Sequence, residues 1–331
     1  MNTFMRRLGA LSPVITFLAM FLFFALISDT FLSSENLLNI LRQNSALAVM
    51  AVGMTLVLLI GEIDLSVEGM AILAGVTTAA LYQVLSANAG LPAVVVQGVP
   101  ILAALVVALL FGLVTGSGTA RLGVPSFMMT LSMLLITKGI ALRITRGSPI
   151  FDIPPVLSFI GNKSWRVVTF GNTAIEIPYI TMVAAVFLVM AFIVLRFTRF
   201  GRHIYAAGGS RVAAELSGIN VKWVTTIPFC VCSVTAAFAG ILLIGRLGSA
   251  QSGGLDNMLI QCVSAVVLGG TSLFGGKGGI ANTVIGVLTL GVLYNGLNHV
   301  QIDIYLKDAI SGTILMAALV LNVTMSRIRG N

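Results

Sequence analysis

Long apolar runs divided by short polar breaks constrain this chain more than any other feature. About 20 apolar residues carry a helix across a hydrocarbon core of roughly 30 Å. Windows of that order fall at roughly 13–32, 44–61, 66–86, 92–118, 124–142, 178–197, 225–245, 258–270, 280–297 and 305–323. Charged residues are 9% of the 331 positions, against about 25% in a soluble domain. The reading is an all-α, multi-pass transmembrane helical bundle of about ten spans. The eighth window is short and ends in Gly269-Gly270, which predicts a broken or partly inserted span. No linker is long or polar enough to divide residues 1–331 into domains.

The N-terminal stretch around Arg6 and Arg7 has the basic and apolar regions of a signal peptide. Its apolar region is long for one, and no small-residue cleavage sequence follows, so it reads as an uncleaved first helix. The net charge of +8 suggests nucleic acid until its distribution is considered. Under ten spans, Arg6, Arg7, Arg121, Arg196, Arg199, Arg202, Arg211, Lys222, Lys277, Arg327 and Arg329 fall on one side. Arg42, Arg143, Arg146, Lys163, Arg166, Arg246 and Lys307 are spread over longer sequence on the other. The positive-inside rule then puts both termini in the cytoplasm, and the basicity is topological, with no nucleic-acid partner implied. Cys230, Cys232 and Cys262 lie in apolar spans and read as small packing residues.

Two connections stand out. Residues 143–177 form the longest external loop, with a strand pair expected at Trp165–Thr169 and Thr173–Ile177 and Trp165 at the membrane surface. Residues 198–224, TRFGRHIYAAGGSRVAAELSGINVKW plus Val224, form a basic cytosolic loop several times longer than ordinary inter-helix connections. Within it Ser210 is placed to cap a short helix over Arg211–Leu216, and Gly218 to end it in a left-handed conformation. Ala213 and Ala214 are small enough for another surface to approach the backbone. A weak two-fold echo relates the break at Gly61-Glu62-Ile63-Asp64 to the one at Gly269–Gly279, as in transporters with paired interrupted segments.

These motifs resemble the permease subunits of bacterial ABC sugar importers, in the branch of ribose, arabinose, xylose, galactose and autoinducer-2 uptake. The residues carrying the likeness are AVGMTLVLLIGEIDLSV (Ala51–Val67), ARLGVPSF (Ala120–Phe127), RGSPI (Arg146–Ile150), TRFGRHIYAAGG (Thr198–Gly209), LSGINV (Leu216–Val221), SAVVLGGTSLFGGKG (Ser264–Gly278) and YNGLN (Tyr294–Asn298), in register over roughly residues 40–323. The resemblance implies an inner-membrane subunit that moves a small carbohydrate by alternating access. It implies a second permease copy or paralogue, a cytosolic ABC ATPase and a periplasmic or surface sugar-binding protein. It also implies that the chain binds no cofactor and is no enzyme, ATP and Mg belonging to the partner ATPase. The coupling element is then Gly209–Gly218, with Gly209, Ser210, Arg211, Ala213, Ala214, Glu215, Ser217 and Gly218 as its residues.

Asp64 and Ser66 match the family's acid-Leu-Ser motif, either lining the route or capping the third span. Glu62 and Glu68 stand where the family has small residues. The family's Glu-Leu-Asp before VVLGG is replaced by Leu259-Ile260-Gln261, so both acids are missing. The run Gly269–Gly278 fails as a phosphate loop, because Thr271 occupies the first glycine position and Gly278 the hydroxyl position. It reads instead as a tight turn with Lys277 at the surface. Among polar residues within spans (Asn44, Thr55, Lys138, Ser264, Asn282, Asn295, Asn298), most are expected to join helices. Asn44, Asn295 and Asn298 are the candidates for the route, and Lys138 is expected to snorkel outward. Phe127, Met128, Met129 and Met133 read as packing. An ion-coupled secondary transporter and a non-transporting scaffold are the rival readings.

Overall fold

The computed structural model describes residues 3–88, 90–170, 173–253 and 257–303, together with 306, 309–314, 316, 317 and 320. In chain order the elements are α1 (Thr3–Ile27), α2 (Ser34–Leu59), α3 (Val67–Ser86), α4 (Ala93–Leu122), α5 (Ser126–Thr145), α6 (Pro155–Asn162), β1 (Ser164–Phe170), β2 (Thr173–Pro178), α7 (Tyr179–Phe197), α8 (Arg199–Gly209), α9 (Arg211–Leu216), α10 (Val221–Leu247), α11 (Met258–Leu268) and α12 (Ile280–His299). Seven of these, α2, α3, α4, α5, α7, α10 and α12, are long and apolar enough to cross a membrane. Shorter apolar helices run over Leu11–Ile27 and Met258–Leu268. At about 1.5 Å per residue, α11 reaches only about half way across the hydrocarbon, so the eighth window is a half-span. The window at 305–323 falls partly outside the described residues, and Lys307, Asp308, Arg327, Arg329 and the side chains of Arg6 and Arg7 lie outside them.

Helix α10 is the hub, packing on α4, α2, α3 and α6. Lipid tails are as apolar as leucine, so helices in a bilayer associate through close van der Waals approach and side-chain hydrogen bonds. Both devices are present. Gly112 and Gly116 of α4 face α10, where an added Cβ would come within 2.8 Å of Cys230 Cα and 2.7 Å of the Thr226 carbonyl oxygen. Gly240 of α10 rests directly on the Ala71 backbone of α3.

The antiparallel seam between α2 and α12 uses polar pairs. Asn36 and Asn295 exchange amide hydrogen bonds at 3.0 and 2.8 Å. Deeper in, Asn44 donates to the Ile40 carbonyl at 2.7 Å and its amide lies over Gly291. At the far end the Thr55 and Thr283 hydroxyls meet at 2.6 Å.

One end of the bundle carries α6 and the β1–β2 hairpin, antiparallel with an irregularity between Arg166 and Val168. The expected strand pair is therefore present; its turn, Gly171-Asn172, lies outside the described residues. Asn162 donates to the Gly245 carbonyl at 2.8 Å, Arg42 to Ser164 Oγ at 2.8 Å, and Ile150 pairs with Ala250, which fastens this end to α2 and α10. The other end carries α8, α9, the 60–66 break and the glycine-rich run. There Arg121 at the end of α4 stacks on Trp223 at the start of α10, 4.8 Å from the ring centroid.

Replacing Gly240 by Leu is expected to lower the apparent melting temperature in detergent, by about 1–3 kcal/mol of overpacking. Replacing Gly98 by Leu, where nothing lies within 4 Å of the added Cβ, is expected to leave it unchanged.

Candidate functional site

The basic loop folds as a two-helix corner. Thr198 caps α8 by accepting the Gly201 N–H at 3.2 Å, and Gly201 lies against the Leu195 backbone, which turns the chain sharply out of α7. Gly201, Ile204 and Ala207 form the buried stripe of α8, while Arg202 and His203 face out. That helix was not anticipated, because its glycines and charges read as loop. The short helix after it was legible. Ser210 Oγ accepts the Ala213 N–H at 3.3 Å, α9 spans Arg211–Leu216, and Gly218 follows at φ +80°. Ala214 is buried and Ala213 exposed, so only one of the two alanines faces outward. Val212 and Leu216 are 68% and 86% exposed, an apolar face that the described residues leave uncovered, and Glu215 and Ser217 lie beside it. Nothing lies within 4 Å of a Cβ added at Gly209.

Beneath this corner the two polar breaks meet. Helix α2 ends in a Schellman pattern, with Gly61 at φ +75° and its N–H donating to Leu58 while the Glu62 N–H donates to Val57 at 3.1 Å. The Gly276 N–H donates to the Leu59 carbonyl at 2.9 Å, and Gly208 sits on that same carbonyl. Within the glycine-rich run, an added Cβ at Gly275 would meet the Gly208 carbonyl oxygen at 2.7 Å. Lys277 is exposed, and Phe274 beside it is 92% exposed. Tyr205 of α8 donates its hydroxyl to the Gly278 carbonyl at 2.9 Å.

The acids of the α2–α3 break each have a place. The Glu62 carboxylate pairs with the Arg211 guanidinium at the first residue of α9. Asp64 is fully buried; its Oδ1 accepts the Ser66 N–H at 2.8 Å and the Ser66 hydroxyl at 2.6 Å. Its Oδ2 has no hydrogen-bond partner, and the carboxyl group lies beside the Cys232 thiol. Ser66 is the residue preceding α3 and makes no side-chain cap, so Asp64 closes the turn before the helix and caps no N–H within it.

Glu68, 3% exposed, pairs through Oε1 with Lys138 Nζ of α5 at 2.5 Å, and its Oε2 accepts the Leu259 N–H at 3.1 Å. Lys138 therefore turns inward to a partner, a correction to the expectation of snorkelling, because a buried carboxylate attracts its ammonium more strongly than distant headgroups do. The carboxylate beside Leu259 comes from α3, where the sequence lacked one on α11 itself.

The three asparagines proposed for the route lie apart from this cluster on the α2–α12 seam. Asn295 is locked to Asn36, Asn44 is half-buried against Gly291, and Asn298 is exposed near the hairpin end. Met133 is buried and Met129 packs on Gly118, but Phe127 and Met128 are more than half exposed within the single chain, so packing accounts for only two of the four. What the sequence could not supply was the pairing of Glu62, Glu68 and the α2–α12 polar residues, since each partner lies far along the chain.

The family described as branched-chain amino acid transport system / permease component matches residues 36–319. The chain belongs to that family. Among the permease's relatives, the ribose import permease of Escherichia coli K12 is 37% identical over 300 residues, covering 89% of this chain and 88% of that one. The ribose import permease of Bacillus subtilis 168 is 33% identical over 329 residues, covering 96% and 93%. The xylose transport system permease of Haemophilus influenzae is 31% identical over 350 residues, covering 89% and 91%. No solved structure matches.

Two outcomes follow for the permease. Lys138→Met strands the buried Glu68 carboxylate and is expected to cost about 3 kcal/mol, read as a lower melting temperature in detergent; adding Glu68→Gln should recover most of it. Burial pushes the Tyr205 phenol up from 10.0, opposed in part by the Arg196 charge. The neutral phenol thus contributes stability that is intact below that value and lost as pH rises above it toward the raised one. Tyr205→Phe is expected to remove about 1 kcal/mol near neutrality. It should also flatten the alkaline fall in melting temperature as pH rises above about 10.

Proposed function

We propose that this permease is the membrane-spanning subunit of an ATP-driven importer that brings a small carbohydrate, a pentose, hexose or related polyol, into the bacterial cytoplasm. The observation that carries the reading is near full-length similarity to ribose and xylose permeases in a chain whose α8–α9 corner presents an uncovered apolar face. In this reading the chain is one domain, the corner end is cytoplasmic together with both termini, and the hairpin end receives a sugar-binding protein. A second permease, identical or a paralogue, completes the route. A separate ABC ATPase binds ATP and Mg, receives α9 in a cleft and transmits its closure through Gly209–Gly218 to the spans, which alternate the access of a central route. Capture by the soluble receptor leaves the permease needing only weak contacts with sugar, which fits the absence of a dense polar cleft among the described residues. Membrane lipid covers the exposed apolar faces of α4, α5 and α7 that a second permease does not.

One observation favours the rival: the buried Asp64 carboxylate with a free Oδ2 is the kind of group an ion-coupled carrier would load. Purification from native membranes in mild detergent separates the two. An ATPase of tandem nucleotide domains is expected to co-purify; recovery of the permease alone, under conditions where another ABC complex survives, would favour ion coupling. Because nothing among the described residues lies within 4 Å of a Cβ at Gly209, Gly209→Leu is expected to insert normally yet to lose ATPase and uptake by about fivefold or more, a coupling loss of about 1–3 kcal/mol. Unchanged uptake in Gly209→Leu and Glu215→Ala would remove α9 from the coupling role.

A further inference from the structure

We infer that the α2–α3 elbow, residues 61–68, is a transmission strut, with Glu62 as the positioning residue that ties the coupling helix to it and Glu68 as the link that delivers its motion to α5 and α11. This rests on the importer reading given above.

The links are continuous. Arg211 is the first residue of α9, and its guanidinium pairs with Glu62. Among the described residues this is the one side-chain bond from α9 to a different part of the fold. The Glu62 side chain is 13% exposed and Arg211 49%, so the pair lies at the foot of the coupling helix, beneath the face offered to a partner. Glu62 itself is held to the end of α2 by its N–H to the Val57 carbonyl.

From there the elbow is stiff. Gly61 sets the turn at φ +75°, and Asp64 Oδ1 holds both the amide and the hydroxyl of Ser66. Two residues on, Glu68 grips Lys138 of α5 and the first turn of the half-span α11 through Leu259. A displacement of α9 therefore reaches α5 and α11 through two ion pairs and the seven residues Glu62–Glu68 that join them. The α8–α9 corner also touches Leu59 and the glycine-rich run through backbone, but those contacts hold Gly208 and Gly209, ahead of α9, and do not grip the helix.

Charged pairs suit this task, because a half-buried ion pair loses strength steeply when its geometry is pulled apart, so each end follows the other. Coupling through such a chain needs double-mutant support, since adjacency alone does not establish it.

The experiment uses the assembled complex of permease and ATPase in vesicles, with Ile260→Cys on the exposed face of α11 as reporter. The rate of N-ethylmaleimide labelling is measured with and without ATP plus vanadate; the native cysteines are buried. The expected result is a nucleotide-dependent rate change that shrinks about fivefold or more in Glu62→Gln, is largely kept in Glu62→Asp, and shrinks equally in Arg211→Gln. The double variant should be no worse than either single, since both remove one link. A merely structural pair would lower the melting temperature and leave the nucleotide response intact. The inference is overturned if Glu62→Gln or Arg211→Gln, with ATPase still co-purifying, responds to nucleotide as the parent does, or if the two losses add. It is overturned equally if the parent complex shows no response at Ile260→Cys. A parent that recruits no ATPase would instead remove the importer reading and this inference with it.

Discussion

A backbone interrupted inside a bilayer survives only where protein takes up every polar group the interruption frees. The break between α2 and α3 meets much of that demand, with Asp64 Oδ2 left without a hydrogen-bond partner. The last carbonyls of α2 accept from Gly61, Glu62 and Gly276, and the Asp64 carboxylate takes the Ser66 amide and hydroxyl. The break after α11 is met in the same way, with the Gly269 carbonyl accepting from Asn282 and the Gly279 N–H reaching Thr271 Oγ at 3.4 Å. The placement of α8, α9 and the glycine-rich run depends on these two closures, because all three are docked on the chain ends the breaks expose.

Much of this was legible because it is local. A capping serine, a left-handed glycine and two turns of small residues predict α9 within its own few positions. The Gly171-Asn172 turn pair between Trp165–Thr169 and Thr173–Ile177 predicts the hairpin in the same manner, and uninterrupted apolar length predicts the spans. The half-span α11 was visible as a window too short to cross.

The misreadings concern partners remote in sequence. Lys138 looked like a snorkelling cation because nothing near it is acidic; its partner lies on α3. The partner of Asn295, Asn36, is likewise out of sight at 259 positions away. Helix α8 was hidden for another reason: its apolar stripe is made of Gly201, Ile204 and Ala207, and two of those residue types carry no hydrophobic signal in a basic segment. The exposed Phe127 and Met128 belong to a face that a single chain leaves uncovered.

The Glu68–Lys138 pair is asymmetric in a way that orders its own history. Lys138 keeps a third of its side chain exposed and Glu68 almost none, so the two residues are not equally safe to lose. A lineage that first replaced Glu68 would leave an ammonium with a long flexible stem able to find headgroups or water. One that first replaced Lys138 would hold a carboxylate with neither water nor countercharge, bound only to a backbone amide. A lineage that gains or loses the pair is therefore expected to pass through chains carrying the lysine alone, and ancestral reconstructions should contain the solitary lysine but not the solitary glutamate.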